Sequence, residues 1–141
     1  MNSLYDFYKK TCEKYSDELL FSNGITYSEG WSLIERRGAF IQKNGYKKGD
    51  VIALLSPNSI EMCITFMAIT ATGAIVLPLD PNLDGKLYPE MLKKAGAKAV
   101  FTTAAFKKLF KEEKVYELDL SKNIEKNGEI KKPKCGVDDI S

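Results

Sequence analysis

The sequence predicts an α/β fold built on a mostly parallel sheet flanked by helices, and three observations support this. Residues 50–120 alternate between short apolar runs that suit strands and longer stretches with helical periodicity. Glycines such as Gly73 and Gly96 mark the ends of the helices. The run VIALLS at 51–56 is almost wholly apolar, as in a strand that is covered on both faces. Strands that alternate with helices in this way form parallel sheets with right-handed crossovers.

The N-terminal part predicts a helix, a hairpin and a second helix. Residues 3–18 carry apolar side chains at three- and four-residue steps, which is typical of a helix with one buried stripe. An Asn-Gly pair at 23–24 lies between two apolar pieces and predicts a hairpin turn. Ser28 is the predicted N-cap of the second helix, and Gly45 the left-handed residue after it. Gly38, in the middle of that helix, predicts the close approach of another element.

The remaining elements follow one another with short connections. Asn58 is the predicted cap of the third helix, with Glu61 at the capping-box position, and Pro89 suits a first helical turn. Residues 121–141 are polar and read as a surface loop. Predicted strands lie at 51–56, 74–80, 98–103 and 114–120, and predicted helices at 59–72, 85–97 and 104–113.

Composition fits one ordinary domain and excludes several functional classes. The chain has 141 residues and a net charge of +2, which is too small to indicate a nucleic-acid binder. It contains no histidine, so the commonest general base and metal ligand are missing. The cysteines Cys12, Cys63 and Cys135 have no metal-like spacing, and we expect free thiols and a cytoplasmic location. No apolar stretch is long enough to predict a transmembrane segment or a signal peptide.

The turn at 54–61, LLSPNSIE, raises the possibility of a phosphate loop, because a strand, a turn and a helix often bind a nucleotide. Phosphate loops need several glycines, so that successive backbone N–H groups can approach the anion. This turn has no glycine, and Pro57 removes one donor. Neither Gly-x-x-x-x-Gly-Lys nor Gly-x-Gly-x-x-Gly occurs in the sequence. We therefore favour a scaffold role for this turn.

Four short motifs, in this order, resemble the N-terminal part of the adenylate-forming enzymes. This superfamily includes acyl-CoA synthetases, the amino-acid-activating domains of peptide synthetases, and luciferases. The resemblance covers about residues 3–120. The matching positions are Thr26-Tyr27 at the start of a helix, Gly45, Gly49 and Asp50 before a strand, Asn58-Ser59 before a helix, and Gly73, Ala74 and Pro78 around the next strand.

The resemblance implies that residues 1–141 are the N-terminal segment of a large AMP-binding domain, truncated before the phosphate loop. The family's loop has the form Ser/Thr-Ser-Gly-Thr-Thr-Gly-x-Pro-Lys-Gly and follows a segment like GVDDIS, which here occupies 136–141. The implied parent is an ATP-dependent acid–thiol ligase that converts a carboxylic acid, preferably a fatty acid, to an acyl-adenylate and transfers it to CoA. ATP, Mg²⁺ and CoA are cofactors of that parent, and the 141-residue chain alone is expected to be inactive and to bind none of them tightly.

No catalytic or metal-binding residue is assigned within this chain. The resemblance places Lys107 and Lys108 where acyl-CoA synthetases have basic residues that meet the 3′-phosphate of CoA, and a lysine suits a phosphate as a point charge. Two solvated helix lysines are the alternative interpretation. The pair is therefore a candidate cofactor-binding site of the parent.

Two other functions stay open at this point. One is an amino-acid-activating adenylation domain, whose acceptor is the pantetheine of a carrier protein. The other is a free-standing, non-catalytic domain that binds a partner or a nucleotide. In the complete family fold these strands would join a larger sheet, so the truncated chain leaves a sheet edge and an apolar helix face open, and we expect it to form a dimer or to associate.

Overall fold

The computed structural model describes residues 4–15 and 25–131, and its elements follow the predicted alternation. The predicted hairpin turn at 23–24 and Cys135 lie outside the described residues. None of the described helices combines the length and hydrophobicity that a bilayer crossing needs. The elements are α1 (Leu4–Lys14), α2 (Tyr27–Lys43), β1 (Val51–Leu55), α3 (Ile60–Ala71), β2 (Ile75–Leu79), α4 (Leu87–Ala95), β3 (Ala97–Thr102), α5 (Ala104–Lys107) and β4 (Val115–Glu117).

The four strands form one sheet in the order β2-β1-β3-β4, and every neighbouring pair is parallel. This confirms the predicted α/β fold. The chain first adds β2 on one side of β1 and then crosses to add β3 and β4 on the other side. The carboxyl ends of β1 and β3 therefore meet at a topological switch point, the place where open α/β sheets usually bind their ligands.

Alternating side chains of the sheet build two separate cores. Ile52 and Leu54 of β1 belong to the larger core, which also contains buried residues of α1, α2 and α3. Ala53 and Leu55 belong to the smaller core, with buried residues of α4 and Phe110. Because successive side chains of a strand point to opposite faces, this split shows that helices cover both faces of the sheet.

Two helix caps differ from the prediction. The N-cap of α2 is Thr26 rather than Ser28, and its hydroxyl accepts a 3.2 Å hydrogen bond from the backbone N–H of Glu29 in a full capping box. The N-cap of α3 is Ser59 rather than Asn58. In each case two nearby polar residues have similar capping preferences, so the sequence cannot choose between them. The predicted left-handed conformation at Gly45 is confirmed by a φ of 90°.

The predicted helix at 104–113 is wrong in length, since α5 ends at Lys107. After the C-cap Lys108, two backbone N–H donors bond three residues back, Leu109 to Phe106 and Phe110 to Lys107, which is a tighter turn than that of an α-helix. Phe110 is buried in the smaller core. Tertiary packing of this side chain therefore overrides the local helical pattern.

Gly38 confirms the predicted close approach, and the approaching residue is Ile130. A Cβ at Gly38 would overlap the side chain of Ile130, because no space for another carbon atom separates the two. Ile130 is itself buried. The polar segment after β4 thus contributes to the larger core instead of only covering the surface.

Candidate functional site

A cleft of about 410 Å³ lies at the carboxyl edge of the sheet, and we call it the edge cleft. It is formed by residues that directly follow β3 and β4, together with the first turn of α3. Its position beside the switch point makes it the best-placed cleft for a ligand. The lining residues are Glu61, Thr103, Ala104, Glu117, Leu118, Asp119 and Leu120.

Most hydroxyl groups near the switch point are used within the scaffold. The buried Thr102 hydroxyl donates a 2.7 Å hydrogen bond to the carbonyl of Leu55, and so ties β3 to β1. Ser56 donates to the carbonyl of Pro57 at 2.6 Å, and the Ser59 hydroxyl accepts the N-terminal bond of α3 at 3.1 Å. The turn that raised the possibility of a phosphate loop thus has its hydroxyls engaged by its own backbone.

The candidate residues Lys107 and Lys108 lie at the end of α5, close to one wall of the edge cleft. The Lys107 Nζ atom is 3.9 Å from the Glu117 Oε2 atom, and Lys122 approaches the same oxygen at 3.1 Å. Lys108 is exposed at the C-cap of α5. Both lysines are therefore exposed, and Lys107 shares the carboxylate of Glu117 with Lys122.

Three carboxylates line the edge cleft: Glu61, Glu117 and Asp119. Asp119 closes its own turn by accepting hydrogen bonds from the backbone N–H of Ser121 at 2.9 Å and from its hydroxyl at 2.7 Å. These two hydrogen bonds, of which the backbone bond has the larger effect, hold the pKa of Asp119 below its usual range. The cleft wall is therefore acidic at neutral pH.

Arg37, which sequence reasoning missed, is fully buried and holds the segment after β4 in place. Its Nη1 atom donates to the Thr65 hydroxyl at 2.7 Å and to the carbonyl of Leu118 at 2.9 Å. Its Nη2 atom donates to the carbonyls of Asp119 and Lys122, both at 2.8 Å. One guanidinium group thus joins α2, α3 and the wall of the edge cleft.

Burial governs the electrostatics of Arg37. It lowers the pKa of the guanidinium to about 10, while the negative charges of Asp119 and Glu61 act in the opposite direction. The guanidinium also lies 5.3 Å from the centre of the Phe101 ring. Its Nε atom is buried without a hydrogen-bond partner among the described residues. The group stays protonated at neutral pH and brings a positive charge beneath an acidic cleft.

One sequence signal could have found Arg37. It lies three residues after Ile34 and four before Ile41, so it falls on the buried stripe of α2. A charged residue on such a stripe is rarely buried unless its donors are satisfied. The helical spacing predicts its burial, although it does not identify the partners.

The described residues do not fit a complete site for ATP and Mg²⁺. Within 4–15 and 25–131 there is no group of three or more metal-ligating side chains that could hold an ion. None of the described residues that line the edge cleft offers a positive charge to the phosphates of a nucleotide, since Lys107 and Lys122 pair with Glu117 outside the lining. No chemical step is assigned to these side chains.

Comparison with known proteins adds the family. The chain matches the family described as AMP-binding enzyme over residues 8–139. It is 30% identical over 108 residues to the long-chain-fatty-acid–CoA ligase of Escherichia coli, and the aligned region covers 74% of this chain and 19% of the relative. It is also 27% identical over 109 residues to a plipastatin synthase of Bacillus subtilis, which covers 75% of this chain and 4% of the relative.

Solved structures show the same fold. The adenylation–carrier-protein fusion NpsA-ThdA of Klebsiella oxytoca superposes with a TM-score of 0.81 at 22% identity, over 94% of this chain and 25% of that one. The chain thus spans between 4% and 25% of the length of these three proteins. From the family match, which extends over most of the sequence, the chain belongs to the AMP-binding enzyme family of adenylate-forming ligases.

Proposed function

We propose that residues 1–141 are the N-terminal segment of the large AMP-binding domain of an ATP-dependent acid–thiol ligase. The parent enzyme activates a carboxylic acid, in our preferred version a fatty acid, as an acyl-adenylate and transfers it to CoA. The observation that carries this proposal is the family match over residues 8–139. The fatty-acid branch is supported by the 30% identity to the Escherichia coli long-chain-fatty-acid–CoA ligase.

Within that enzyme the segment acts as scaffold, and alone it is inactive. Its switch-point hydroxyls are engaged in the backbone network, and its edge cleft is acidic. ATP, Mg²⁺ and CoA belong to the parent, whose phosphate loop would follow this segment. The free thiols of Cys12 and Cys63 support a reducing, cytoplasmic setting.

A second candidate is an amino-acid-activating domain that loads a carrier protein. It is supported by the match to the Bacillus subtilis plipastatin synthase and by the fold likeness to an adenylation–carrier-protein fusion. The two candidates share the first half-reaction and differ in the acid and in the acceptor thiol. Substrate profiling therefore separates them.

The decisive experiment is ATP–pyrophosphate exchange with a panel of fatty acids, aryl acids and amino acids. It is run on this chain and on the product of its complete reading frame. Exchange by the longer protein alone, with fatty acids, supports the proposal in full. Exchange with amino acids selects the second candidate. Exchange by neither protein contradicts the ligase and favours a non-catalytic binding domain.

Lys107 and Lys108 are proposed to bind the 3′-phosphate of CoA in the parent enzyme. In the double variant Lys107→Gln/Lys108→Gln we expect the KM for CoA to rise about tenfold, because two exposed charge contacts of roughly 0.5–1 kcal/mol each are lost. Pyrophosphate exchange, which needs no CoA, should not change. The matched control replaces the exposed α4 lysines, Lys93 and Lys94, by glutamine. An unchanged KM for CoA removes Lys107 and Lys108 from the site.

The outer edge of β2 is proposed to mediate self-association of the 141-residue chain. Among the described strands β2 pairs only with β1, and Ile75 on it is 54% exposed. Light scattering should show a dimer that dissociates in an Ile75→Lys variant, since a charged side chain protects an open edge. A wild-type chain that stays monomeric at high concentration contradicts this prediction.

A further inference from the structure

The segment 125–131, which we call the strap, packs on α2 in close contact. A Cβ at Gly38 of α2 would lie 2.5 Å from the Cδ1 atom of Ile130 in the strap. A Cβ at Gly128 of the strap would lie 2.6 Å from the Cβ of Glu125 within the strap and 2.7 Å from the Cβ of Ala39 in α2. Helix and strap each have a glycine at a place where the two are in close contact. This reciprocal pattern indicates a specific fit between the two.

Side chains of α2 also form hydrogen bonds with the backbone of the strap. Gln42 donates a 2.7 Å hydrogen bond from its amide nitrogen to the carbonyl of Lys131 and accepts a 2.8 Å bond from the Lys131 N–H. The carboxylate of Glu35 accepts a hydrogen bond from the N–H of Ile130. Both backbone groups of Lys131 are therefore satisfied by one helical side chain, much as they would be by a neighbouring strand.

Two clefts flank the strap among the described residues. A cleft of about 530 Å³ lies between α2 and the strap on the side of Trp31, and a second of about 360 Å³ lies on the side of Lys43. Besides the glycine contacts and the bonds from side chains of α2, the strap is held by the buried side chain of Ile130 and by a 3.0 Å bond from the Glu125 N–H to the carbonyl of Arg36. Hydrogen bonds to the backbone of the strap fix the path of the chain, whatever side chains the strap carries. A segment that only covered the surface of α2 would not need such bonds.

We propose that Gln42 and Glu35 are positioning residues, which fix the path of the polypeptide at Ile130 and Lys131. Arg37 holds the preceding segment through the carbonyls of Leu118 and Lys122, so one helix guides the chain from the end of β4 onward. The consequence for catalysis rests on the proposed function, in which the chain after Lys131 leads to the nucleotide-binding part of the ligase. A correctly placed strap then lowers the KM for ATP.

The first measurement tests the strap itself, by amide hydrogen exchange in the 141-residue chain. In Gln42→Ala the Lys131 N–H should exchange about threefold to tenfold faster, because it loses its acceptor. Gln42→Glu keeps an acceptor oxygen and should leave that amide protected. The control Lys94→Ala removes an exposed ion pair with Glu90 on another helix and should change nothing at Lys131. Equal exchange in Gln42→Ala and in the wild type overturns the proposal.

The second measurement uses the product of the complete reading frame and its ATP–pyrophosphate exchange. Gln42→Ala should raise the KM for ATP at least threefold with little change in kcat, Gln42→Glu should raise it less, and Lys94→Ala should match the wild type. A faster-exchanging Lys131 amide with an unchanged KM for ATP overturns the positioning role. A wild-type protein without any exchange overturns the proposed function instead, while the amide data still report on the strap.

Discussion

Arg37→Met is expected to lower the free energy of unfolding by about 3–5 kcal/mol, because it leaves buried acceptors without their donor. The Thr65 hydroxyl and the carbonyl of Leu118 lose their donor while they stay buried, and each unsatisfied group costs roughly 1–3 kcal/mol. The carbonyls of Asp119 and Lys122 are nearer to solvent and can turn to water. Urea unfolding at pH 7 measures the difference.

Arg36→Met is the matched control for Arg37→Met. Arg36 is the preceding residue of α2, and its Nε atom makes only a long, 3.4 Å bond to the carbonyl of Ser32. Its loss should change stability by no more than about 0.5 kcal/mol. Arg37→Lys should lie between the two, because an ammonium group cannot reproduce the planar fork of donors. A loss below about 1 kcal/mol in Arg37→Met would show that the four hydrogen bonds do not outweigh the burial of the charge.

Gly38→Val is expected to cost about 3 kcal/mol, at the upper end of the range for an overpacked core. The new side chain would enter space that Ile130 already fills. Ile130→Ala alone should cost about 2–3 kcal/mol, because Ile130 is buried. The double variant should be more stable than the sum of the two losses predicts, by at least about 1 kcal/mol, since alanine frees the contested space.

Strict additivity in this double-mutant cycle would contradict the contact between α2 and the strap. Denaturant unfolding of the four proteins provides the comparison, with the slope of the transition checked for a constant value. An additional probe is hydrogen exchange at the Lys131 N–H. In Gly38→Val it should exchange faster, because the valine pushes the strap away from α2.

The strands and their parallel order were predictable because their signals are local. The apolar runs at 51–56 and 98–103 needed only a count of side chains and turn residues, and both are strands of the sheet. The cap of α3 was misplaced by one residue because Asn58 and Ser59 suit the position almost equally. The predicted helix at 104–113 was too long because Phe110 is buried in the smaller core. The local sequence pattern does not indicate that contact.

The functional features depend on long-range contacts and were harder to predict. Arg37 finds its carbonyl acceptors 81 to 85 residues further along the chain, so no local motif identifies them. Gly38 was recognised as a place of close approach, yet its partner Ile130 lies in a stretch whose polar composition indicates a surface loop. The position of Lys107 beside Glu117 likewise depends on β4, which pairs with β3 only once the sheet has formed.

The buried guanidinium of Arg37 has a consequence for synthesis on the ribosome. As the chain emerges, α2 appears first, while the carbonyls that satisfy Arg37 belong to residues translated 81 to 85 positions later. Until then the charge must remain hydrated, which holds α2 away from α3 and the sheet. Final docking of the N-terminal helices is thus postponed until residues 118–122 have left the exit tunnel. The larger core, which includes Leu118, should therefore be completed late in synthesis.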